Sequence, residues 1–231
     1  MTADSTGVVV VTDRRQAAAA GRSLLSVVAD AVCAGAPTVL LREKDLPAGE
    51  RSVLAAKMRA VAAAGGARLV VAGDADLAIR LGADGVHLAA ADPWPGDPDW
   101  PFRPPPPDLA VSRSCHRVDE LQVARDRGAA WVTYSPVFPS RSKPGYGPPL
   151  GLDVLAVGCR AVPDLPVVAL GGVDATTAAA CRLAGAAGVA VLGAVMASHD
   201  PRAATAALVR ASAPTRRPPL PPAIPARGVR R

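Results

Sequence analysis

Eight short apolar runs, each followed by a longer Ala/Leu-rich or loop segment, set the strongest limit on how this chain folds. The runs are VVVVT at 8–12, TVLLR at 38–42, RLVVA at 68–72, GVHL at 85–88, LAVSR at 109–113, AWVTY at 130–134, PVVAL at 166–170 and GVAVL at 188–192. Strands covered on both faces read as near-continuous Val/Leu runs, and parallel neighbours need a crossover of a dozen or more residues, usually a helix. The alternation predicts an α/β architecture with a parallel sheet, and eight strands are the number that closes into a single (β/α)8 TIM barrel. An open, doubly wound sheet is the alternative that the same pattern allows.

At 231 residues, half of them hydrophobic, the chain has the size of one such barrel. Aromatic residues make up 3%, so the core must be packed from small aliphatic side chains rather than rings. Asp74 before ADLAIRL and Asp174 before ATTAAACRLAG read as helix N-caps, the second segment closing on Gly185. Two proline-rich stretches break the alternation: residues 93–107, with eight prolines, read as an inserted surface loop after the fourth strand, and the C-terminal stretch holds six. The expected organisation is a barrel over 1–212 and a disordered, basic, Pro/Arg-rich tail over 213–231.

The net charge of +6 is a property of that tail: setting aside its five arginines leaves 21 basic against 20 acidic residues. A nearly neutral barrel has no footprint for a phosphate backbone, so no nucleic-acid partner is expected. No signal-peptide pattern opens the chain and no apolar run reaches the roughly 20 residues of a membrane span, which reads as a cytoplasmic protein with no membrane partner. Cys33, Cys115, Cys159 and Cys181 form no CxxC pair and read as buried free thiols rather than a zinc site or disulfide framework. No GxGxxG, Walker A, HExxH or nucleophile-elbow pattern is present. A homo-oligomer is left open.

In a (β/α)8 barrel the residues just past each strand's C-terminal end line the active site. After the second strand, Arg42-Glu43-Lys44-Asp45 offers a guanidinium and an ammonium suited to phosphate oxygens, or else a solvated charged surface. Lys44 stands out because the chain has only three lysines, Lys44, Lys57 and Lys143, beside 23 arginines. Asp74 after the third strand and Asp92 after the fourth offer hard oxygen ligands of the kind that Mg²⁺ takes together with a diphosphate. Each also has an ordinary reading, Asp74 as a helix cap and Asp92 as a turn residue before proline. Ser114 and His116 follow the fifth strand, and Ser140, Ser142 and Lys143 lie in a hydroxyl- and cation-rich loop after the sixth, able to close over a phosphorylated ligand. Gly171-Gly172 and Leu192-Gly193 end the seventh and eighth strands, where exposed backbone amides make the phosphate site of many such barrels.

Taken in order, LREKD, GDADLAIRLGADGVHL, SCH, PVFPSRSK, VVALGGV and GVAVLGAV resemble the thiamine phosphate synthase family along nearly the whole chain to about residue 211. The resemblance implies a transferase of thiamine biosynthesis that joins an aminopyrimidine methyl diphosphate to a thiazole phosphate, releasing pyrophosphate, with Mg²⁺ as cofactor. It implies that Asp74 and Asp92 hold the metal, that Arg42, Lys44 and Lys143 neutralise the leaving diphosphate, and that Ser114 contacts the diphosphate or the pyrimidine. Ser140 and Ser142 stand where the family has threonines over the thiazole, while Gly172 and the Leu192-Gly193 backbone bind the thiazole phosphate.

The sequence departs from that pattern at Leu40, where the family commonly has glutamine, at Gly73, where it has asparagine, and at Ala89-Ala90, where it has glycine-glutamine. These departures fall on the pyrimidine side. The same superfamily contains a thiazole tautomerase, which has no diphosphate to hold and needs a proton carrier, for which His116 is a candidate. Retention of both aspartates favours the synthase, substitution of the pyrimidine-side polar residues favours the tautomerase, and a non-catalytic binder of thiazole phosphate or thiamine phosphate is the third reading; the synthase is the expected activity.

Overall fold

The computed structural model describes residues 7–102, 104–140 and 147–213. Eight parallel strands close in sequential order: β1 (Gly7–Val11), β2 (Thr38–Leu41), β3 (Arg68–Ala72), β4 (Gly85–Leu88), β5 (Ala110–Cys115), β6 (Trp131–Tyr134), β7 (Val167–Leu170) and β8 (Gly188–Val191). The seam joins β1 to β8, with Gly7 opposite Gly188 and Val10 opposite Val191, which excludes the open doubly wound sheet. Alternation along each strand gives the molecule two apolar layers. Val9, Val11, Leu40, Val70, Ala72, Trp131, Val168 and Ala190 fill the barrel interior. Their neighbours, such as Val10, Val39, Leu41, Val71 and Tyr134, pack outward against the helices.

The helices are α1 (Arg14–Ala19), α2 (Leu24–Cys33), α3 (Ala48–Ala64), α4 (Ala75–Arg80), α5 (Val118–Asp126), α6 (Gly151–Ala161), α7 (Ala178–Leu183), α8 (Gly193–Met196) and α9 (Pro201–Ala211). Their sheet-facing positions are repeatedly alanine: Ala17, Ala31, Ala55, Ala62, Ala78, Ala124 and Ala178 are fully buried, and a side chain that small lets a helix axis lie close to the strands. Local chemistry sets the starts. Asp13 accepts from the Arg15 and Gln16 amides, Ser23 from Ser26 N at 3.1 Å, and Asp200, just ahead of Pro201, from Ala203 N at 2.9 Å.

Two sequence expectations are corrected. Asp174 does not cap α7: its Oδ1 accepts from the Thr176 and Thr177 amides, closing a separate turn, and the helix begins only after Thr177. Of the four cysteines, Cys115 and Cys181 are buried, but Cys33 is exposed and Cys159 half-buried. All four are free, and burial pushes the Cys115 thiol up to about 12.

Between β4 and β5 the described residues hold no helix, as a segment rich in residues without an N–H donor requires. The proline-rich stretch does the covering instead. Trp94 is 7% exposed, and Trp100 and Phe102 meet edge to face at 5.2 Å and pack on the outer core. Among the described residues no helix is long and apolar enough to cross a membrane. Residues 214–231, almost all of the expected tail, lie outside the described residues.

Candidate active site

The C-terminal ends of β1 and β2 are knitted together by Thr12, whose amide donates to Leu40 O at 3.0 Å while its Oγ1 accepts from Arg42 N at 2.9 Å. From there the charges of residues 42–45 part company. Glu43 is 3% exposed and turns toward Arg14, accepting from Arg14 N at 3.0 Å and Nη1 at 2.9 Å. The same guanidinium grips both oxygens of Asp45 at 2.8 Å and holds that exposed carboxyl at about 2. Arg15 adds a second cation at Asp45 Oδ2, 2.6 Å away, so Arg14 and Arg15 together pair the two acids of the run and leave Arg42 and Lys44 as its exposed cations. A cavity of about 230 Å³ opens here, lined by residues 13–15 and 42–45.

Lys44 leans across the barrel mouth. Its Nζ lies 3.9 Å from Asp92 Oδ2, and its chain fills the space that a side chain on Gly73 would need, 2.9 Å from the ideal Cβ position to both Cε and Nζ. Gly73 sits at φ +68°, in the left-handed region that glycine enters without penalty. Asp74 beside it is doubly engaged, Oδ1 capping α4 through Leu77 N at 2.8 Å and Oδ2 paired with Arg51 of α3. Asp92 Oδ2 accepts from Ala89 N at 2.7 Å. The ordinary readings of both aspartates, cap and turn residue, are therefore realised, and each carboxylate keeps further lone pairs.

β5 carries the polar inner wall. Ser112 and Ser114 both point at His87 of β4, with Nδ1 at 2.9 Å from Ser112 Oγ and Nε2 at 2.9 Å from Ser114 Oγ, and the imidazole stacks on Trp131 at 5.2 Å. Burial, helped by the positive charges of Lys44, Arg113 and Arg42, depresses His87 to about 3, so the ring is neutral. Ser112 Oγ donates to Val86 O at 3.1 Å, which assigns the proton to Nδ1 and lets Nε2 accept from Ser114. His116 sits at the rim, its Nδ1 2.8 Å from Ser135 O and its amide donating to Glu120 at 2.6 Å.

The segment after β6 lies directly over the end of β7. Val137 N donates to Leu170 O at 2.8 Å and Phe138 N to Gly171 O at 2.9 Å. Cβ atoms on Gly171 and Gly172 would fall 2.7 Å from Pro136 and Phe138 respectively, so this close approach, with φ of +98° and +63°, makes both positions glycine. Ser140 is half-buried at the end of that segment, whereas Ser142 and Lys143 lie outside the described residues. At β8 the first bonds of α8 run from Val195 N and Met196 N to Leu192 O. The Gly193 and Ala194 amides precede them at the helix start, the position from which amides bind anions.

The floor between these walls is apolar. Leu40, 2% exposed, belongs to the interior layer with Val11 and Ala72, and Leu170 and Leu192 pack against it. Sequence reasoning missed His87, Arg14, Arg51 and the buried Thr133 hydroxyl of β6, which has no hydrogen-bond partner. For His87 a signal existed: a histidine in an otherwise apolar strand, in register with Ser112 of the next.

A family model described as thiamine monophosphate synthase matches residues 8–195. The chain is 40% identical over 204 residues to a putative thiamine-phosphate synthase of Geobacter sulfurreducens, covering 87% of this chain and 91% of that one. It is 42% identical over 201 residues to the thiamine-phosphate synthase of Roseiflexus castenholzii, covering 87% and 86%. Among solved structures it is similar to a thiamine phosphate pyrophosphorylase from Pyrococcus furiosus, with a TM-score of 0.78 at 27% identity over 91% of this chain and 96% of that one.

Proposed function

The chain belongs to the thiamine monophosphate synthase family, and from that premise we propose that it is a thiamine phosphate synthase, a transferase of thiamine biosynthesis. It couples 4-amino-2-methyl-5-pyrimidinylmethyl diphosphate to thiazole phosphate, breaking the methylene C–O bond, forming the C–N bond and releasing pyrophosphate. The observation that carries this reading is Lys44, whose ammonium reaches the Gly73-Asp74 turn and Asp92 at once and so brings the ends of β2, β3 and β4 to one anion-binding place.

In this reading Lys44 and Arg42 take up negative charge as the diphosphate departs, joined by Lys143, and no covalent nucleophile is needed. Ser114, oriented by His87, meets the diphosphate or the pyrimidine. The apolar floor around Leu40 excludes water from the electrophilic methylene carbon, and Ser140, Ser142, Gly171, Gly172 and the Leu192-Gly193 backbone hold the thiazole phosphate with its nitrogen facing that carbon.

The donor set fits Mg²⁺: Asp74 and Asp92 are hard oxygen ligands, two carboxylates being the usual protein share of a site that substrate phosphates complete. Among the described residues no group of three or more His, Cys, Asp or Glu could hold a metal, so the diphosphate would have to complete the coordination. When bound, the ion would neutralise and orient the leaving group. Such an enzyme works in the cytoplasm on small phosphorylated substrates.

The test is formation of thiamine phosphate from the two substrates and Mg²⁺ by purified protein, with Asp92→Ala as control. Product that disappears in the variant supports both the activity and the role of Asp92. Well-folded protein giving no product rules the synthase out.

A further inference from the structure

Asp92 sits in the first of two turns separated by a single proline. The first closes through Asp92 N to Ala89 O at 3.1 Å and through the carboxylate to Ala89 N. The second runs over 94–97, with Asp97 N donating to Trp94 O at 3.0 Å and Trp94 N donating to Asp97 Oδ2 at 2.9 Å. Arg113 of β5 reaches both. Its Nη2 donates to Ala90 O at 2.7 Å and to Asp92 O at 2.6 Å, and its guanidinium lies 4.5 Å from the centroid of the Trp94 ring. Its Nη1 is buried with no hydrogen-bond partner. Burying an unpartnered donor is unfavourable, and here it accompanies a guanidinium placed over an indole, where arginine's forked, delocalised cation is not interchangeable with lysine's compact ammonium. Arg127 fixes the far side of the second turn through Asp97 at 2.8 Å.

We propose that Arg113 is a positioning residue for Asp92: it clamps the backbone of the Asp92 turn to β5 and uses Trp94 to make the proline-rich 93–107 segment a buttress for that turn. The segment that replaces a crossover helix thereby gains a part in the reaction, fixing the direction in which the Asp92 carboxylate faces Lys44 and the diphosphate. Neither Arg113 nor Trp94 touches substrate in this account. Arg113 acts on the backbone carbonyl of Asp92, the same residue whose carboxylate does.

The inference rests on the reading of Asp92 as a metal ligand at the diphosphate site, and the experiment separates the two. Mg²⁺-dependent binding of inorganic pyrophosphate is measured calorimetrically for the whole protein and for Arg113→Lys, Asp92→Asn and the double variant, alongside KM for each substrate. Loss of an outer partner of a ligand typically costs ten- to a hundredfold in metal affinity. The expected result is that Arg113→Lys weakens pyrophosphate binding about tenfold and raises KM for the pyrimidine diphosphate in step, leaves KM for thiazole phosphate unchanged, and adds nothing in the Asp92→Asn background. Trp94→Leu, which leaves the guanidinium bonds in place, moves the same quantities in the same direction by less. Arg113→Lys acting equally with and without the Asp92 carboxylate, raising both KM values alike, or leaving binding unchanged would overturn the proposal. Undiminished Mg²⁺-dependent binding in Asp92→Asn alone would instead remove the role of Asp92 itself, and this inference with it.

Discussion

Lys44 occupies the place where a side chain on Gly73 would begin, its Cε and Nζ each 2.9 Å from the ideal Cβ position. The glycine and the lysine are therefore one feature: the cation's present path to Asp92 uses the space that position 73 leaves empty. The family's asparagine at this position and the lysine's present path exclude each other in space.

Gly73→Ala is expected to act in two ways. At φ +68° an alanine is strained by about 1 kcal/mol, and its Cβ displaces the ammonium. Losing one charge-assisted contact should raise KM for the pyrimidine diphosphate about tenfold, the equivalent of ~1.4 kcal/mol. In a Lys44→Ala background the same change should still lower stability while leaving KM where Lys44→Ala put it. A further rise in KM there would mean that Lys44 does not mediate the effect.

Arg14→Ala is expected to destabilise the fold by about 3 kcal/mol, because it strands a buried charge rather than because it removes a favourable pair. The Glu43 side chain is 2% exposed against 30% for Arg14, so in the folded protein the carboxylate has exchanged most of its water for that guanidinium. Urea denaturation checks this, and Glu43→Leu combined with Arg14→Ala should recover part of the loss. If the double variant is no better than Arg14→Ala alone, the stranded charge is not the cause.

The strands were legible because burial on both faces leaves so few residue types: β3 and β4 match their expected limits residue for residue, and the others differ by one or two positions. β5 is the instructive case. It continues to Cys115, past the expected end at 113: Ser114, expected just after the strand, lies on it and faces inward with Ser112 onto His87. The positions of the acidic and basic site residues followed from strand ends, but their partners did not. Arg51 meets Asp74 from 23 residues away and Arg14 meets Glu43 from 29, and pairings between a helix and a distant strand end leave no periodic trace in sequence.

His87 makes stability depend on pH. Its folded pKa of about 3 lies below the ordinary 6.5, so between these values the unfolded chain binds a proton that the folded one refuses. Stability is unaffected above pH 6.5 and falls as pH drops through the window from 6.5 to 3, reaching a loss of about 2 kcal/mol at pH 5. Urea midpoints at pH 8 and pH 5 report it. In His87→Gln, which has no titrating ring, the difference between the two pH values should shrink by that amount, and an unchanged difference would assign the pH dependence to other groups.

Gly172→Ala separates the two halves of the site. A Cβ there would lie 2.7 Å from Phe138 Cβ and closer still to Pro139 O, so the 136–139 segment must lift from the end of β7, carrying Ser140 with it. Lys44, Asp92 and Ser114 stand on β2 to β5 and do not follow. KM for thiazole phosphate should therefore rise about tenfold or more while KM for the pyrimidine diphosphate stays within about twofold, a misplacement of an ångström being enough for losses of this size. The strained φ of +63° should add about 1 kcal/mol of destabilisation, read from the same sample by denaturation. Equal rises in both KM values would show that the segment after β6 serves the whole mouth, and the division of the site between its two sides would have to be given up.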